Sequence, residues 1–401
     1  MKKTDRRHRI AFAVVAFIVK IAAGLLLKMR IETDDTVKAW KKGKDGFVTL
    51  CAHPSEFDAA VLLAASFPRY TRFVAGAQQL YKPGLQSKLL RMLGVIPKKQ
   101  FTSDIASIKE MMATVKGGDV LAMMPEGRVS TDGTPGPIDI ATAKLIKKMG
   151  VAVAGLIPHG TFFVKPSYNY SGLIRGRVSG EMKAILSAEE AAVCSPEEIC
   201  RKITEALEYN ASEELRGGGR TYAAVDGAYM KGVSNLFYLC PKCGELLTVS
   251  DAGSVISCSA CGIRLKALPT MFLEGEAGLP DTVAGWNKLQ KEFERKFWAE
   301  EGACLEFHVS KDTMVLKTET EYTEKGDGLL NLSAEGLAYT DSEESFSVPL
   351  AAVPGVSVDY QFGHIVFYQG DLMRRFTFGD KRLAARFINS LMVLKECDRE
   401  Q

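Results

Sequence analysis

His53 is one of five histidines in a chain of 401 residues. It follows an apolar run, Phe47 to Cys51, in the stretch GFVTLCAHPSEFDAAVLLAA, and Asp58 lies five positions beyond it. The run reads as a strand and Ser55–Ala65 as a helix. His53 therefore falls in the loop at a strand's C-terminal end, where ligands collect in open α/β sheets. On one continuous helix, residues five apart lie about 140° apart and do not meet. With His53 outside the helix, Asp58 in its first turns can reach back and hold one ring nitrogen. The other nitrogen is then a base for a substrate hydroxyl. Taken alone, this spacing reads more simply as a loop histidine and a helix-start carboxylate. Cys51 suits a buried strand end rather than a reactive thiol.

Two further loops add chemistry. LAMMPEGRVSTDGTP (residues 121–135) places Pro125, Glu126, Gly127 and Arg128 after an apolar strand. Arg128 offers a planar fork of donors suited to phosphate. VAVAGLIPHG (151–160) is another apolar strand ending at Pro158, and LGVIPKKQ (93–100) brings Lys98 and Lys99. His159, directly after Pro158, reads as a second site residue or as a loop histidine.

The ordered set is His-x-Ser-x-x-Asp, Gly-x-Ile-Pro with lysines, Pro-Glu-Gly-Arg, and an apolar strand ending in proline. Over residues 30–210 it resembles the glycerolipid acyltransferase family, the lysophosphatidic acid acyltransferases and their relatives. The resemblance implies that His53 is the general base toward the acceptor hydroxyl and Asp58 its partner. It implies that Glu126, Gly127 and Arg128 form the acceptor-phosphate segment, with Lys98 or Lys99 assisting, and that Pro158 helps shape the acyl or acceptor channel. It also implies acyl-CoA or acyl carrier protein as donor and a lysophospholipid, 1-acylglycerol-3-phosphate foremost, as acceptor. There are departures. Lys98, Lys99 and Gln100 stand where many relatives have an acidic residue and an arginine. Arg128 comes one place earlier than the common Pro-Glu-Gly-Thr-Arg-Ser. That form resembles the acyltransferase part of bacterial 2-acylglycerophosphoethanolamine acyltransferases, so lysophosphatidylethanolamine is an alternative acceptor, and an amino lipid or glycolipid acceptor stays open.

The positioning elements follow from periodicity. Strands are expected at Phe47–Cys51, Thr71–Ala75, Gly94–Pro97, Val120–Met124, Val151–Pro158 and Gly172–Val178. Helices are expected at Ser55–Ala65, Leu85–Leu93, Ser103–Val115, Ile138–Met149 and 195–208, the last with Ser195 as cap and Pro196 in its first turn. This strand–helix alternation gives an α/β acyltransferase domain, a mixed sheet flanked by helices, over residues 31–215. A glycine-rich joint follows at 216–227.

Four of the nine cysteines form two close pairs, Cys240/Cys243 and Cys258/Cys261, in CPKCGELLTVSDAGSVISCSACG. Two Cys-x2-Cys turns flanking a hairpin suit a structural Zn2+ held as a zinc ribbon, residues 236–266. The scattered remaining cysteines do not form a secreted disulfide framework. A charged helical link, 281–301, leads to short alternating runs with turn residues between them. They predict a mainly-β domain, residues 295–401, resembling a pleckstrin-homology-type (PH-like) module. One helix closes it, with Leu383, Phe387, Ile388, Leu391 and Leu394 as its apolar stripe. Such a module could bind lipid head groups or a protein partner, or simply pack.

Residues 1–30 read as a membrane-associated helix. Ile10 to Leu27 is apolar except for Lys20, about 27 Å as a helix. Basic residues flank both ends. A span would place Lys20 mid-bilayer at about 3 kcal/mol, so a helix lying in the surface with Lys20 snorkelling is preferred over a span, a cleaved signal or a buried helix. This puts the protein on the cytoplasmic face of a membrane, peripheral or single-helix anchored, among membrane phospholipids. A composition of 46% hydrophobic and 25% charged residues indicates folded domains. A net charge of +3, with no basic–aromatic cluster by the cysteines, does not suggest nucleic acid. Two function classes compete: a membrane-associated acyltransferase, and a scaffold whose ribbon and β module recruit partners.

Overall fold

The apolar runs that carry the candidate site residues pair with one another inside one sheet. The computed structural model describes residues 3–81, 84–102, 104–169, 172–216, 218, 221–224, 227–315, 322, 324–353 and 355–400. Parts of the expected joint at 216–227, and the middle of the expected β run around 313–322, lie outside the described residues. The chain divides into two units. Residues 1–99, 103–166 and 173–222 form the first, and residues 100–102, 167–172 and 223–401 the second.

The first unit begins α1 (Lys3–Leu27), β1 (Arg30–Thr33), α2 (Asp35–Lys42), β2 (Val48–Cys51) and α3 (Asp58–Ser66). It continues β3 (Thr71–Gly76), α4 (Ala77–Tyr81), α5 (Leu85–Met92), β4 (Ile96–Lys98), α6 (Ile105–Lys116) and β5 (Val120–Met123). It ends α7 (Ile140–Met149), β6 (Val153–His159), α8 (Thr161–Val164), β7 (Ser179–Leu186), α9 (Ala188–Val193), α10 (Pro196–Ala206) and α11 (Ala211–Arg216). The sheet order is β1-β7-β6-β2-β5-β3-β4. Strands β2 to β6 are mutually parallel, and β7 runs antiparallel to β6 and parallel to β1, so the sheet is mixed. The central strands are covered on both faces, which explains why Val48–Cys51 and Val120–Ala122 are near-continuous apolar runs. One core packs Met111, Ala143, Ile146 and Ile203 on Val48, Leu50 and Leu121. Each large aliphatic chain buried there contributes about 1.5–3 kcal/mol. Parallel strands end on one edge, so the turns after β2, β4, β5 and β6 share it.

Two expectations need correction. The strand expected at Gly172–Val178 lies instead at Ser179–Leu186. A side chain at Gly176 would collide with the Tyr222 ring, whose nearest atom would lie 2.2 Å from its Cβ, so this segment is packed coil. The expected helix Ser55–Ala65 starts at Asp58, because Ser55 and Asp58 close a turn first (Asp58 N–H to Ser55 O, 3.2 Å).

Helix α1 is apolar on both sides but packed on one. Phe12 and Ala16 are buried with Leu63, Tyr70, Leu80, Leu93 and Val95. Arg9 pairs with Asp119 at 2.6 Å and lies over the Tyr70 ring. On the opposite side Ile10, Val14, Phe17, Ile18, Ile21 and Leu25 are exposed within an arc of about 100°, Leu25 to 79%. Lys20 is also exposed, about 60° outside that stripe toward the packed side, with its amine over the Phe67 ring.

The second unit contains a four-stranded sheet of β8 (Val249–Ala252), β9 (Val255–Cys258), β10 (Arg264–Ala267) and β11 (Leu273–Glu274), in order β11-β10-β9-β8. Helix α12 (Val283–Trp298) follows. Then come β12 (Cys304–Val315), β13 (Glu324–Ser333), β14 (Gly336–Thr340), β15 (Ser345–Pro349), β16 (Ser357–Asp359), β17 (His364–Gln369) and β18 (Leu372–Phe378), and the closing helix α13 (Arg382–Glu400). These seven strands are antiparallel in order β15-β14-β13-β12-β18-β17-β16. The stripe of α13 fills their core, with Phe387, Ile388, Leu391 and Leu394 buried beside Phe307, Phe376 and Phe378. Helix α12 ties the cysteine region to α13. Gln290 Oε1 accepts from the N–H groups of Tyr238 and Leu239, and Trp286 Nε1 donates to Leu239 O at 2.9 Å. Asn389 Nδ2 donates to Asn287 and Tyr238.

Candidate active site

His53 stands where β2 has ended and α3 has not begun. Its Nδ1 lies 3.1 Å from Asp58 Oδ2, and the same oxygen accepts from Ser55 N–H at 2.6 Å. With the carboxylate accepting, the proton sits on Nδ1 and leaves Nε2 as a base. The ring is 15% exposed and Asp58 is fully buried. Burial pushes the Asp58 carboxyl up from its ordinary value of 3.8, and the His53 ring and Ser55 N–H oppose it.

The backbone of His53 is held from both sides by the loop after β5. Glu126 Oε1 accepts from His53 N–H at 2.9 Å, and Ser130 N–H donates to His53 O at 2.8 Å. Glu126 Oε2 accepts from Gly136 N–H at 2.7 Å. Glu126 is thus engaged by main-chain donors. Burial pushes its carboxyl up too, and those N–H groups oppose the shift. Gly127 has φ +73°, the left-handed turn that a glycine accepts without cost. Arg128, half-buried, sits within this loop between the two residues that grip His53.

The structure therefore joins His53, Asp58 and Glu126 directly, with Gly127 and Arg128 in the same loop. Lys98 ends β4, three strands from β2, about 14 Å along the edge at about 4.8 Å per strand. It is not brought into contact with His53. Burial holds its amine below the ordinary value, opposed by Asp104 and Asp139. Lys99 N–H is bound by Asp104 Oδ2 at 3.3 Å. Pro158 is buried in β6 opposite Gly180, beyond the end of β2, where its missing N–H has no ladder to break. Ser130 and Gly136, which complete the grip, were not singled out in the sequence. Their only signal is the turn-rich run STDGTPGP. His159 Nδ1 lies 2.7 Å from Glu214 Oε1 of α11, a pair 55 positions apart with no local signature.

Replacing Asp58 by asparagine separates stability from chemistry. Because the folded carboxyl is raised, the folded state holds the proton over a pH window above 3.8 in which the unfolded chain has lost it. Stability from this group thus falls as pH rises through that window. Asp58→Asn is expected to melt no lower than the parent at neutral pH and to lose that slope. Acyl transfer should fall about 100-fold or more, since the ring loses its orienting charge. Thermal melts from acid to neutral pH, with acylation assays, check this. A variant both less stable at neutral pH and fully active would contradict it.

A search of protein-family models matches residues 28–157 to the family described as Acyltransferase. Residues 28–157 thus form an acyltransferase domain. A search of solved structures finds the 1-acyl-sn-glycerophosphate (LPA) acyltransferase of Thermotoga maritima, at 18% identity and a TM-score of 0.43, covering 54% of this chain and 84% of that one. No curated protein matches the chain. His53, Asp58, Lys98, Lys99 and Glu126 to Arg128 fall inside the matched acyltransferase domain, while Pro158 and His159 lie just past it.

The second unit holds a separate cluster. The thiol sulfurs of Cys240, Cys243, Cys258 and Cys261 all lie within 4.8 Å of one another. Cys240–Cys261 and Cys243–Cys258 are 3.7 and 3.8 Å apart. Sulfurs bound tetrahedrally at about 2.3 Å to one ion stand about 3.8 Å apart, whereas a disulfide needs about 2.05 Å.

Proposed function

We propose that the protein is a membrane-associated O-acyltransferase that moves a fatty acyl chain from acyl-CoA or acyl carrier protein to a lysophospholipid hydroxyl. The foremost acceptor is 1-acylglycerol-3-phosphate, giving phosphatidic acid. The observation that carries this reading is the His53–Asp58 pair, gripped by the Glu126–Ser130 loop at the edge where parallel strands end. His53 Nε2 takes the acceptor's hydroxyl proton as its oxygen attacks the thioester carbonyl. The tetrahedral intermediate collapses, the C–S bond breaks, and His53 returns the proton to the thiolate. Asp58 keeps the ring in the required tautomer throughout. Glu126 serves indirectly, fixing the His53 main chain, while Arg128 meets the acceptor phosphate with Lys98 or Lys99. Pro158 bounds the channel.

In the second unit, Cys240, Cys243, Cys258 and Cys261 would hold a structural Zn2+, and their spacing fits that ion. The antiparallel strand order with one closing helix supports a PH-like module. Helix α1 lies in the membrane surface, since its packed face, Phe12 to Val19, ties its middle to the domain.

The test is incorporation of labelled acyl chains into defined acceptors by the full chain. Phosphatidic acid is expected from 1-acylglycerol-3-phosphate. Product from lysophosphatidylethanolamine alone would move the acceptor assignment. No product from any lysophospholipid with either donor would leave the scaffold reading.

A further inference from the structure

Helix α5 carries a second apolar stripe that faces away from the domain. Leu85, Leu89 and Met92 are exposed, Leu85 to 83%, and fall within an arc of about 60° on the helix. The other side of α5 is spent on packing. Ser87 is buried, and Leu90 packs on the cluster that also buries Phe12 and Ala16 of α1. The two helices touch: a side chain at Gly94, just after α5, would lie 2.8 Å from the His8 ring. Two helices thus share one buried seam, and each leaves an apolar stripe outside it.

We propose that α5 is a second membrane-inserting element, which with the outward stripe of α1 seats the acyltransferase domain on an anionic lipid surface. Three features select a bilayer as the occupant. The stripe adjoins a helix whose apolar length is that of a membrane segment. Charge on the two helices is mostly positive, since α5 contains Lys88 and Arg91 and no acidic residue, and α1 has five basic residues, of which Arg9 is paired with Asp119, against Asp5. Lys88 is exposed about 40° beyond the nearer edge of the stripe, where its amine reaches lipid phosphates. The chain from Met92 then runs six residues to Lys98, at the edge where the acceptor phosphate is proposed to bind. An acceptor drawn from the same surface would enter there. The inference rests on the membrane placement of α1 proposed above, and not on the acyl-transfer chemistry.

Flotation of the full chain with vesicles of phosphatidylglycerol and phosphatidylcholine tests it. The parent and a control altered at an exposed apolar position elsewhere, Val193→Ser, are expected to float. The triple variant L85S/L89S/M92S should lose about tenfold or more in partition, from the apolar area withdrawn from lipid. In a second variant, Leu89→Trp, the added indole emission should shift to the blue and be quenched by brominated acyl chains. If the parent does not bind vesicles, the membrane placement and this inference both fail. If the parent binds and the triple variant binds equally, or the added indole is not quenched, only the role of α5 is overturned. The same holds if the parent is a dimer that the triple variant breaks without loss of vesicle binding, because a second copy then covers the stripe.

Discussion

His53→Ala should lower kcat/KM for acyl transfer by about 1,000-fold or more while the domain stays folded. The activity loss follows from geometry. Within the described site, His53 is the group with a ring nitrogen oriented by a buried carboxylate, and the main chain around it is pinned by Glu126 and Ser130. Removing the ring leaves nothing at that point to take the acceptor's proton. Survival of the fold follows from electrostatics. Burial already raises the Asp58 carboxyl, and the His53 ring is one of the influences holding it down. Without the ring, Asp58 shifts further toward its neutral form, which is the cheaper one to bury. His53→Gln sharpens the test, since an amide can still bond Asp58 but cannot accept a proton in the reaction. Both variants should melt close to the parent and be inactive alike. A well-folded His53→Ala protein keeping a tenth or more of parental activity would remove His53 from the mechanism.

Much of this site was legible because the chemistry sits on short, locally coded pieces. An apolar run ending at His53 placed it in a loop, and the five-residue offset required His53 to stay outside the helix from whose first turns Asp58 reaches back. The structure has that arrangement, with the helix starting at Asp58 itself. The strand before Glu126 and the strand that contains Pro158 were legible as buried apolar runs. The elements that escaped have weak patterns or distant causes. Strand β7 alternates buried and exposed residues through Glu181 and Lys183, so its apolar signal is half as dense as that of β2. Strand β1 is four residues long and is defined by pairing with β7, about 150 positions away. The engagement of Glu126 by His53 and Gly136 was illegible for a similar reason: a motif shows which side chains are present, but not whether main-chain donors have already claimed them. Ser195 and Pro196 illustrate the opposite case, a helix start written in adjacent residues and found with its capping box.

The purified protein is expected to carry about one equivalent of zinc, and Cys240→Ser or a strong chelator should lower the melting of the second unit by about 10–20 °C. Four thiolates with edges of 3.7 and 3.8 Å match a tetrahedral ion, and the short strands β8 to β11 bury little by themselves. In such small folds, metal binding supplies most of the folding free energy. The loss should propagate along a defined route. Cys240 directly follows Tyr238 and Leu239, whose N–H groups are bound by Gln290 and whose carbonyl, at Leu239, is bound by Trp286. If the metal turn unravels, these buried groups on α12 lose partners, at about 1–3 kcal/mol for each left unpaired. The network through Asn287 and Asn389 carries the disturbance to α13, whose stripe closes the seven-stranded core. A loss of about 5 kcal/mol in a unit of this size corresponds to the stated shift. Metal analysis and melting of the full chain, with and without chelator, decide the matter. Protein purified without metal, melting unchanged by Cys240→Ser, would show that the four thiols pack as side chains and hold no ion.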